Sequence, residues 1–186
     1  MSTPQANIFL VGLMGSGKTT IGRALAKRLN LRFVDADHEI ESRTGASITL
    51  IFEIEGEASF RQREADVISD LTQQQGIVLA TGGGAILNQE SRRSLRERGT
   101  VVYLRASVGS LVQRTSHDRQ RPLLQTADPR ARIVELMRQR APLYEEVAHI
   151  TVETGRPNVQ SVVQNILVQL EQSGWPVNAA TPANSL

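Results

Sequence analysis

The chain has 186 residues, of which 40% are hydrophobic and 22% charged, proportions typical of one folded domain and unlike those of disordered or coiled-coil chains. Two lysines and 19 arginines make up its 21 basic residues and nearly balance 19 acidic ones, so the net charge of +2 does not indicate a nucleic-acid-binding surface. The absence of cysteine excludes disulfides and Cys-ligated zinc or iron–sulfur sites.

The N-terminal segment has no basic region before its first apolar run. That run, Ile8 to Val11, is too short for a signal sequence or a membrane span. We therefore expect a cytoplasmic protein with no membrane partner, and the lack of length for a further domain favours a monomer.

Short apolar runs alternate along the chain with amphipathic segments, a pattern that predicts an α/β fold with a parallel sheet. The predicted strands are Ile8 to Val11, Phe33 to Val34, Ile77 to Ala80, Val101 to Leu104 and Ile150 to Val152. The predicted helices are Lys18 to Leu29, Asp37 to Thr44, Glu57 to Gln75, Gln89 to Arg98, Val108 to Ser116, Arg130 to Val147 with a break near Pro142, and Val159 to Leu170.

Three segments depart from this alternation. Residues 37–76 are longer than one crossover helix requires, so we expect an inserted helical subdomain there. Residues 117–129 are polar and without periodicity, which fits either a loop over a site or a loose connection. Residues 174–186 are small, polar and Pro-containing and are predicted to be a disordered tail after a single domain of residues 1–173.

The first strand leads into a phosphate-binding loop. Residues Gly12 to Thr19 fit the pattern G-x-x-x-x-G-K-[ST], and a predicted helix follows at once. Glycines let backbone N–H groups surround a phosphate, Lys18 can reach the β- and γ-phosphates, and the Thr19 hydroxyl can ligate Mg²⁺. The nucleotide-binding residues predicted here are Gly15, Ser16, Gly17, Lys18, Thr19 and Thr20.

Two other nucleotide-binding motifs do not match this sequence. A dinucleotide fingerprint needs Gly or Ala where Thr20 stands, or Gly where Met14 stands. Neither lysine lies in an Asn-Lys-x-Asp guanine-reading sequence. The base is therefore expected to be adenine.

Polar or glycine residues follow the second and third strands. Ligands of open parallel sheets bind beyond the carboxyl ends of strands, so Asp35 is expected near Mg²⁺ and Asp37 near an acceptor hydroxyl. Asp37 could instead cap the helix that begins at His38. The run Gly82 to Gly84 fits either a close approach of a ligand to the backbone or a plain turn.

Most of the arginines are expected on solvated helix faces. Arg121 is the exception, because it lies in the 117–129 segment, where a mobile loop could close on polyphosphate. Neither Arg61 nor Arg140 stands out from its local sequence alone.

Taken together, seven segments in this order resemble the shikimate kinase family over nearly the whole chain. They are Gly12 to Arg23, Asp35-Ala36-Asp37 with Ile40-Glu41, Gly56-Glu57 with Phe60-Arg61 and Glu64, Thr81 to Gly84, Val101 to Leu104, Arg121 to Leu124, and Arg140 to Tyr144. The resemblance implies a P-loop fold like that of nucleoside monophosphate kinases, with five parallel strands, a substrate-binding insert (37–76) and a lid (117–129).

The resemblance also implies roles for particular residues. Asp37 would bind the shikimate hydroxyls and be the candidate base, Arg61 and Arg140 would grip the carboxylate, and Gly82 to Gly84 would contact shikimate through the backbone. Arg121 would contact the ATP phosphates, and Arg114 and Arg156 would lie beside the adenine. The catalytic set would be Lys18, Asp37 and Arg121, with Thr19 and Asp35 on one Mg²⁺.

The implied reaction is ATP-dependent phosphorylation of the 3-hydroxyl of shikimate, with ATP and shikimate as the only partners. A related small-molecule or nucleoside monophosphate kinase shares the phosphate loop and the lid. A nucleotide-dependent switch without acceptor chemistry is a third hypothesis. A shikimate site differs from both because it needs two arginines that meet one carboxylate opposite Asp37.

Overall fold

A five-stranded sheet forms the centre of the structure, a computed structural model that describes residues 6–118, 121–155 and 158–177. Its strands are β1 (Ile8–Val11), β2 (Arg32–Asp35), β3 (Ile77–Ala80), β4 (Thr100–Arg105) and β5 (Ile150–Glu153). They lie in the order β2-β3-β1-β4-β5, and every neighbouring pair is parallel. The predicted α/β fold with five parallel strands is confirmed.

Side chains of the central strands alternate between two apolar clusters, one on each face of the sheet. In β1, Phe9 and Val11 point to one cluster while Ile8 and Leu10 point to the other. Both faces are thus buried, which explains why the strands read as continuous apolar runs.

In the part of the chain that the structure describes, seven α-helices cover the two faces. They are α1 (Lys18–Leu29), α2 (Ala36–Thr44), α3 (Ile48–Leu71), α4 (Gln89–Arg98), α5 (Val108–Thr115), α6 (Pro129–Val147) and α7 (Val159–Gln172). Helices α1 and α7 pack on the Ile8 face, and the others contribute to the Phe9 face. Within the described ranges, no helix is both long and apolar enough to cross a bilayer.

The helical insert differs from its prediction. No helix is predicted over 48–55, yet α3 starts at Ile48 with the Ser47 hydroxyl as its cap and ends at Leu71 instead of Gln75. The segment is rich in β-branched residues of low helix propensity, but burial of Ile51 against the core outweighs this preference. Gly56, at φ 81°, divides α3 into two helical halves.

The break predicted near Pro142 is wrong, because α6 runs through this residue to Val147. Proline cannot donate to the carbonyl four residues earlier. That carbonyl belongs to Arg138, an exposed residue of α6, and the helix continues without this hydrogen bond.

The packed part of the chain extends beyond the predicted boundary at residue 173. Trp175 and Val177 lie partly buried against the cluster formed by α1 and α7. An apolar ring can cover such a surface even in a polar sequence. The rest of the predicted tail, 178–186, lies outside the described residues.

Candidate active site

The loop from Gly12 to Thr19 joins β1 to α1 at the carboxyl end of the sheet. Gly15 and Gly17 have φ of 82° and 96°, backbone conformations that other residues rarely adopt. Gly17 is the N-cap residue of α1. Lys18 Nζ donates to the carbonyl oxygens of Gly12 at 2.7 Å and Leu13 at 3.1 Å. The predicted cradle is thus present, with its lysine directed across the loop.

Lys18 is half-buried in this loop. Its pKa is lowered to about 8, first by burial and then by the nearby Arg121, while the carboxylates of Asp37 and Asp35 oppose the shift. The ammonium group remains largely charged at pH 7 but is poorly compensated. A phosphate group would supply the missing negative charge.

Asp35 connects the phosphate loop to the insert. Its Oδ1 accepts from the backbone N–H groups of Asp37 at 3.0 Å and His38 at 3.2 Å, so Asp35 caps α2. Its Oδ2 accepts from the Thr19 hydroxyl at 2.9 Å. The alternative that Asp37 caps this helix is wrong, and the Asp37 side chain is left for other contacts.

Thr19 and Asp35 offer the oxygen ligands that Mg²⁺ prefers. Across the described residues, no group of three or more His, Cys, Asp or Glu side chains could hold a metal. A hydroxyl and one carboxylate fit a metal ion that takes its remaining ligands from nucleotide phosphates and water, as is usual for Mg²⁺ in phosphoryl-transfer enzymes.

A cavity of about 440 Å³ opens between the insert, the glycine turn after β3 and helix α6. Met14, Phe52 and Phe60 supply apolar wall. Arg121 of the predicted lid lines it, and so do all the predicted acceptor-site residues: Asp37, Arg61, Gly82, Gly83, Gly84 and Arg140. Residues from the insert, the glycine turn, the lid segment and α6 therefore meet in one cavity.

Two carboxyl groups flank Gly82, that of the buried Glu64 and that of the half-buried Asp37. A methyl group on Gly82 would lie 2.6 Å from Glu64 Oε2 and 2.9 Å from Asp37 Oδ1. The pKa of Asp37 is raised to about 6, first by burial and then by Glu64 and Asp35, while Lys18 and Arg121 oppose the shift. Asp37 can therefore hold a proton close to neutral pH, as a general base requires.

Two arginines line the same cavity. Arg61 pairs with Glu64 at 2.8 Å and with Glu57 at 3.4 Å. Arg140 is only 3% exposed, and its Nε and Nη1 have no hydrogen-bond partner among the described residues. A buried guanidinium with unused donors is costly unless an anion binds it. The cavity therefore favours an anionic ligand at Arg140.

Arg121 approaches from the predicted lid. Its Nε donates to Asp118 Oδ2 at 2.6 Å, and both side chains line the cavity. The charge of Arg121 lowers the pKa of both Lys18 and Asp37, so the guanidinium lies within electrostatic range of the phosphate loop and of the acceptor site. Residues 119 and 120 lie outside the described ranges.

A second cavity, of about 190 Å³, lies on the other side of the phosphate loop. Ser16, Gly17, Thr20, Arg114 and Thr154 are among its lining residues. Arg114 donates to the carbonyl oxygens of Gly15 at 3.1 Å and Thr154 at 2.6 Å, so it forms one wall. The predicted contact at Arg156 lies outside the described residues.

Glu64 and Tyr144 have no predicted role, although both belong to the motifs above. Glu64 is 2% exposed and lies one turn after Arg61. Its spacing from Arg61 on one helix face is a sequence signal for an ion pair. Tyr144 donates to the carbonyl oxygen of Gly83, a contact that no local pattern reveals.

Comparison with known proteins decides the family. The model of the family described as shikimate kinase matches residues 14–171. The chain belongs to the shikimate kinase family. A shikimate kinase of Burkholderia pseudomallei is 59% identical over 171 residues, covering 92% of this chain and 93% of that protein. One of Ralstonia nicotianae is 55% identical over 183 residues, covering 97% and 96%.

Solved structures agree with this shikimate kinase assignment. A shikimate kinase from Acinetobacter baumannii in complex with shikimate superposes with a TM-score of 0.88 at 50% identity, over 91% of this chain and 94% of that one. A gluconokinase from Sinorhizobium meliloti, 18% identical with a TM-score of 0.56, shares the fold. The predicted resemblance to shikimate kinases is confirmed.

Proposed function

We propose that the protein is a shikimate kinase that transfers the γ-phosphate of ATP to the 3-hydroxyl of shikimate, giving shikimate 3-phosphate and ADP. This step leads toward chorismate and the aromatic amino acids. The observation that carries the proposal is the buried Arg140 guanidinium with open donors, in one cavity with Arg61 and Asp37. A small acid with several hydroxyls matches this arrangement: its carboxylate meets the arginines and a hydroxyl meets the aspartate.

ATP binds across the phosphate loop. Backbone N–H groups of the loop surround the phosphates, and Lys18 turns from the loop carbonyls to the β- and γ-phosphates. The adenine enters the cavity beside Arg114, with Arg156 as a further contact. The remaining contacts come from Gly15, Ser16, Gly17, Thr19 and Thr20.

Thr19 and Asp35 would hold one Mg²⁺. When bound, this ion would neutralise charge on the phosphate oxygens. The Thr19 hydroxyl donates to Asp35 at 2.9 Å, and this hydrogen bond holds the two side chains together where β2 ends beside the phosphate loop. The same Asp35 carboxylate orients the start of α2, and hence Asp37, toward the acceptor.

Transfer needs positioning and charge stabilisation more than covalent help from the protein. The 3-oxygen of shikimate forms a bond to the γ-phosphorus as the bond from phosphorus to ADP breaks, and the hydroxyl proton passes to Asp37. Lys18 and Arg121 stabilise the charge on the transferring group. The raised pKa of Asp37 makes it a suitable acceptor for that proton.

The test is ADP release in the presence of ATP and Mg²⁺. We expect shikimate to stimulate turnover, and gluconate and nucleoside monophosphates to leave the background rate unchanged. Stimulation by one of those alternatives and not by shikimate would identify another kinase. Tight ATP binding without turnover on any hydroxyl acceptor would instead favour a nucleotide-dependent switch.

Binding to arginine variants tests the acceptor site itself. Arg61→Ala and Arg140→Ala should each weaken shikimate binding by about 2 to 5 kcal/mol and leave ATP binding largely intact, because both arginines are remote from the adenine cavity. Arg93→Ala is the matched control, since its side chain is 67% exposed. Unchanged shikimate affinity in both site variants would contradict the proposed carboxylate contact.

We further propose that the protein acts as a cytoplasmic monomer without nucleic-acid or membrane partners. The near balance of charge and the single sheet with both faces covered support this. Light scattering during gel filtration checks the mass, and a dimer would contradict the monomer proposal.

A further inference from the structure

Tyr144 links helix α6 to the glycine turn of the acceptor cavity. The side chain is fully buried, and its hydroxyl donates to the carbonyl oxygen of Gly83 at 2.5 Å. Gly83 lines the cavity, whereas Tyr144 does not. The tyrosine therefore holds from behind a backbone segment that faces the acceptor.

The ring of Tyr144 is itself held in place. It stacks on Tyr103 of β4 with ring centroids 5.1 Å apart and planes inclined by 29°. Tyr103 is also buried, and both rings belong to the apolar cluster on the α6 face. Close packing in this cluster therefore fixes the position of the Tyr144 hydroxyl.

Arg140, one turn earlier on α6, lies beside the same glycine turn: a methyl group on Gly83 would lie 3.5 Å from Arg140 Nη1. Burial lowers the pKa of Arg140, and the neighbouring Tyr144 opposes that shift. Burial raises the pKa of Tyr144, so its hydroxyl keeps the proton that it donates to Gly83. Nε and Nη1 of Arg140 remain without partners among the described residues.

We propose that Tyr144 is a positioning residue for the acceptor, whose hydroxyl fixes the Gly83 backbone and the Arg140 guanidinium relative to each other. This inference rests on the proposed function. It assigns to Tyr144 the relative position of two neighbouring groups that line the acceptor cavity, Gly83 and Arg140. The nucleotide cavity has no contact with this link.

Removing the hydroxyl tests the link with little change in shape. In Tyr144→Phe the ring can keep its stack on Tyr103, while the Gly83 carbonyl loses its donor and Arg140 loses a neighbour. We expect the KM for shikimate to rise roughly tenfold, the worth of one buried hydrogen bond, and the KM for ATP to stay within about twofold.

Tyr103→Phe is the matched control. It removes a hydroxyl from the other ring of the same stacked pair, and Tyr103 lies outside the acceptor cavity. We expect both KM values of this variant to match the wild type. Unchanged shikimate KM in Tyr144→Phe, or equal increases in both KM values, would overturn the positioning role.

A donor-retaining side chain separates positioning from stability. With 4-aminophenylalanine at position 144, an N–H group replaces the hydroxyl, and we expect the shikimate KM to return toward the wild-type value. If the 4-aminophenylalanine variant has the same shikimate KM as Tyr144→Phe, the proposal is overturned. This comparison remains valid even if Tyr144→Phe has a lower melting temperature than the wild type. Wild-type turnover of shikimate, measured alongside, reports on the proposed function separately.

Discussion

Gly82 is the position where the smallest substitution should do the most damage to catalysis. Its backbone conformation is open to other residues, so alanine adds no strain to the main chain. The added methyl group, however, would lie 2.6 Å from Glu64 Oε2 and 2.9 Å from Asp37 Oδ1. Gly82→Ala therefore acts on the carboxyl groups of Glu64 and Asp37 in the acceptor cavity.

The size of the effect follows from those distances. Carbon and oxygen atoms need roughly 3.3 Å between them, so the carboxyl groups must retreat by about 0.4 to 0.7 Å. Glu64 cannot move freely because it is buried and paired with Arg61 at 2.8 Å. A displacement of about 1 Å at a reacting group costs on the order of 100-fold in rate, so we expect kcat to fall by about 10- to 100-fold.

Steady-state kinetics with shikimate and ATP, together with a thermal melt, measure this effect. The matched control is Gly109→Ala in α5, where a methyl group would meet no atom within 4 Å. We expect Gly109→Ala to keep its activity and Gly82→Ala to lose turnover while still binding ATP. A Gly82→Ala enzyme with a normal kcat would refute the reasoning, since the carboxyl positions would then not matter.

Three further outcomes follow from the site and the fold. Asp37→Asn should fold normally and lose most of its turnover, and a near-normal rate would show that no base is needed. Thr19→Val should raise the Mg²⁺ concentration required for half-maximal rate whereas Thr19→Ser should not; equal requirements would argue against Thr19 as a ligand. His149 Nδ1 accepts from the Val101 N–H, and burial lowers the His149 pKa in the folded state. Protonation thus favours the unfolded chain, so the free energy of unfolding should fall more between pH 7.5 and 5.5 in the wild type than in His149→Gln; parallel curves by urea titration would contradict this.

The sheet and the phosphate loop could be predicted because their signals are local. Ile8 to Val11 form a continuous apolar run, and the glycines and Lys18 follow at a fixed spacing. Parallel strands that are buried on both faces need apolar residues at successive positions. Their carboxyl ends then bring Asp35, Asp37 and the glycine turn together. The meeting of those side chains follows from topology.

Other features depend on contacts that no local pattern carries. The first half of α3 contains Ile48, Thr49 and Ile51, which disfavour a helix until burial compensates. Nothing in the local sequence distinguishes Arg140 from the other arginines of the chain, and only the fold buries it in the wall of the acceptor cavity. The Tyr144 hydrogen bond joins residues 61 positions apart in the chain. Only the assembled core determines these.

The central claim is that this cavity holds shikimate with its 3-hydroxyl at Asp37 and its carboxylate at Arg61 and Arg140. Nuclear magnetic resonance of the product formed from ATP, Mg²⁺ and shikimate tests it most directly. We expect one phosphate ester, at the 3-oxygen, in an amount equal to the ADP released. ADP formed without a phosphorylated acid, or an ester on another hydroxyl, would contradict the claim.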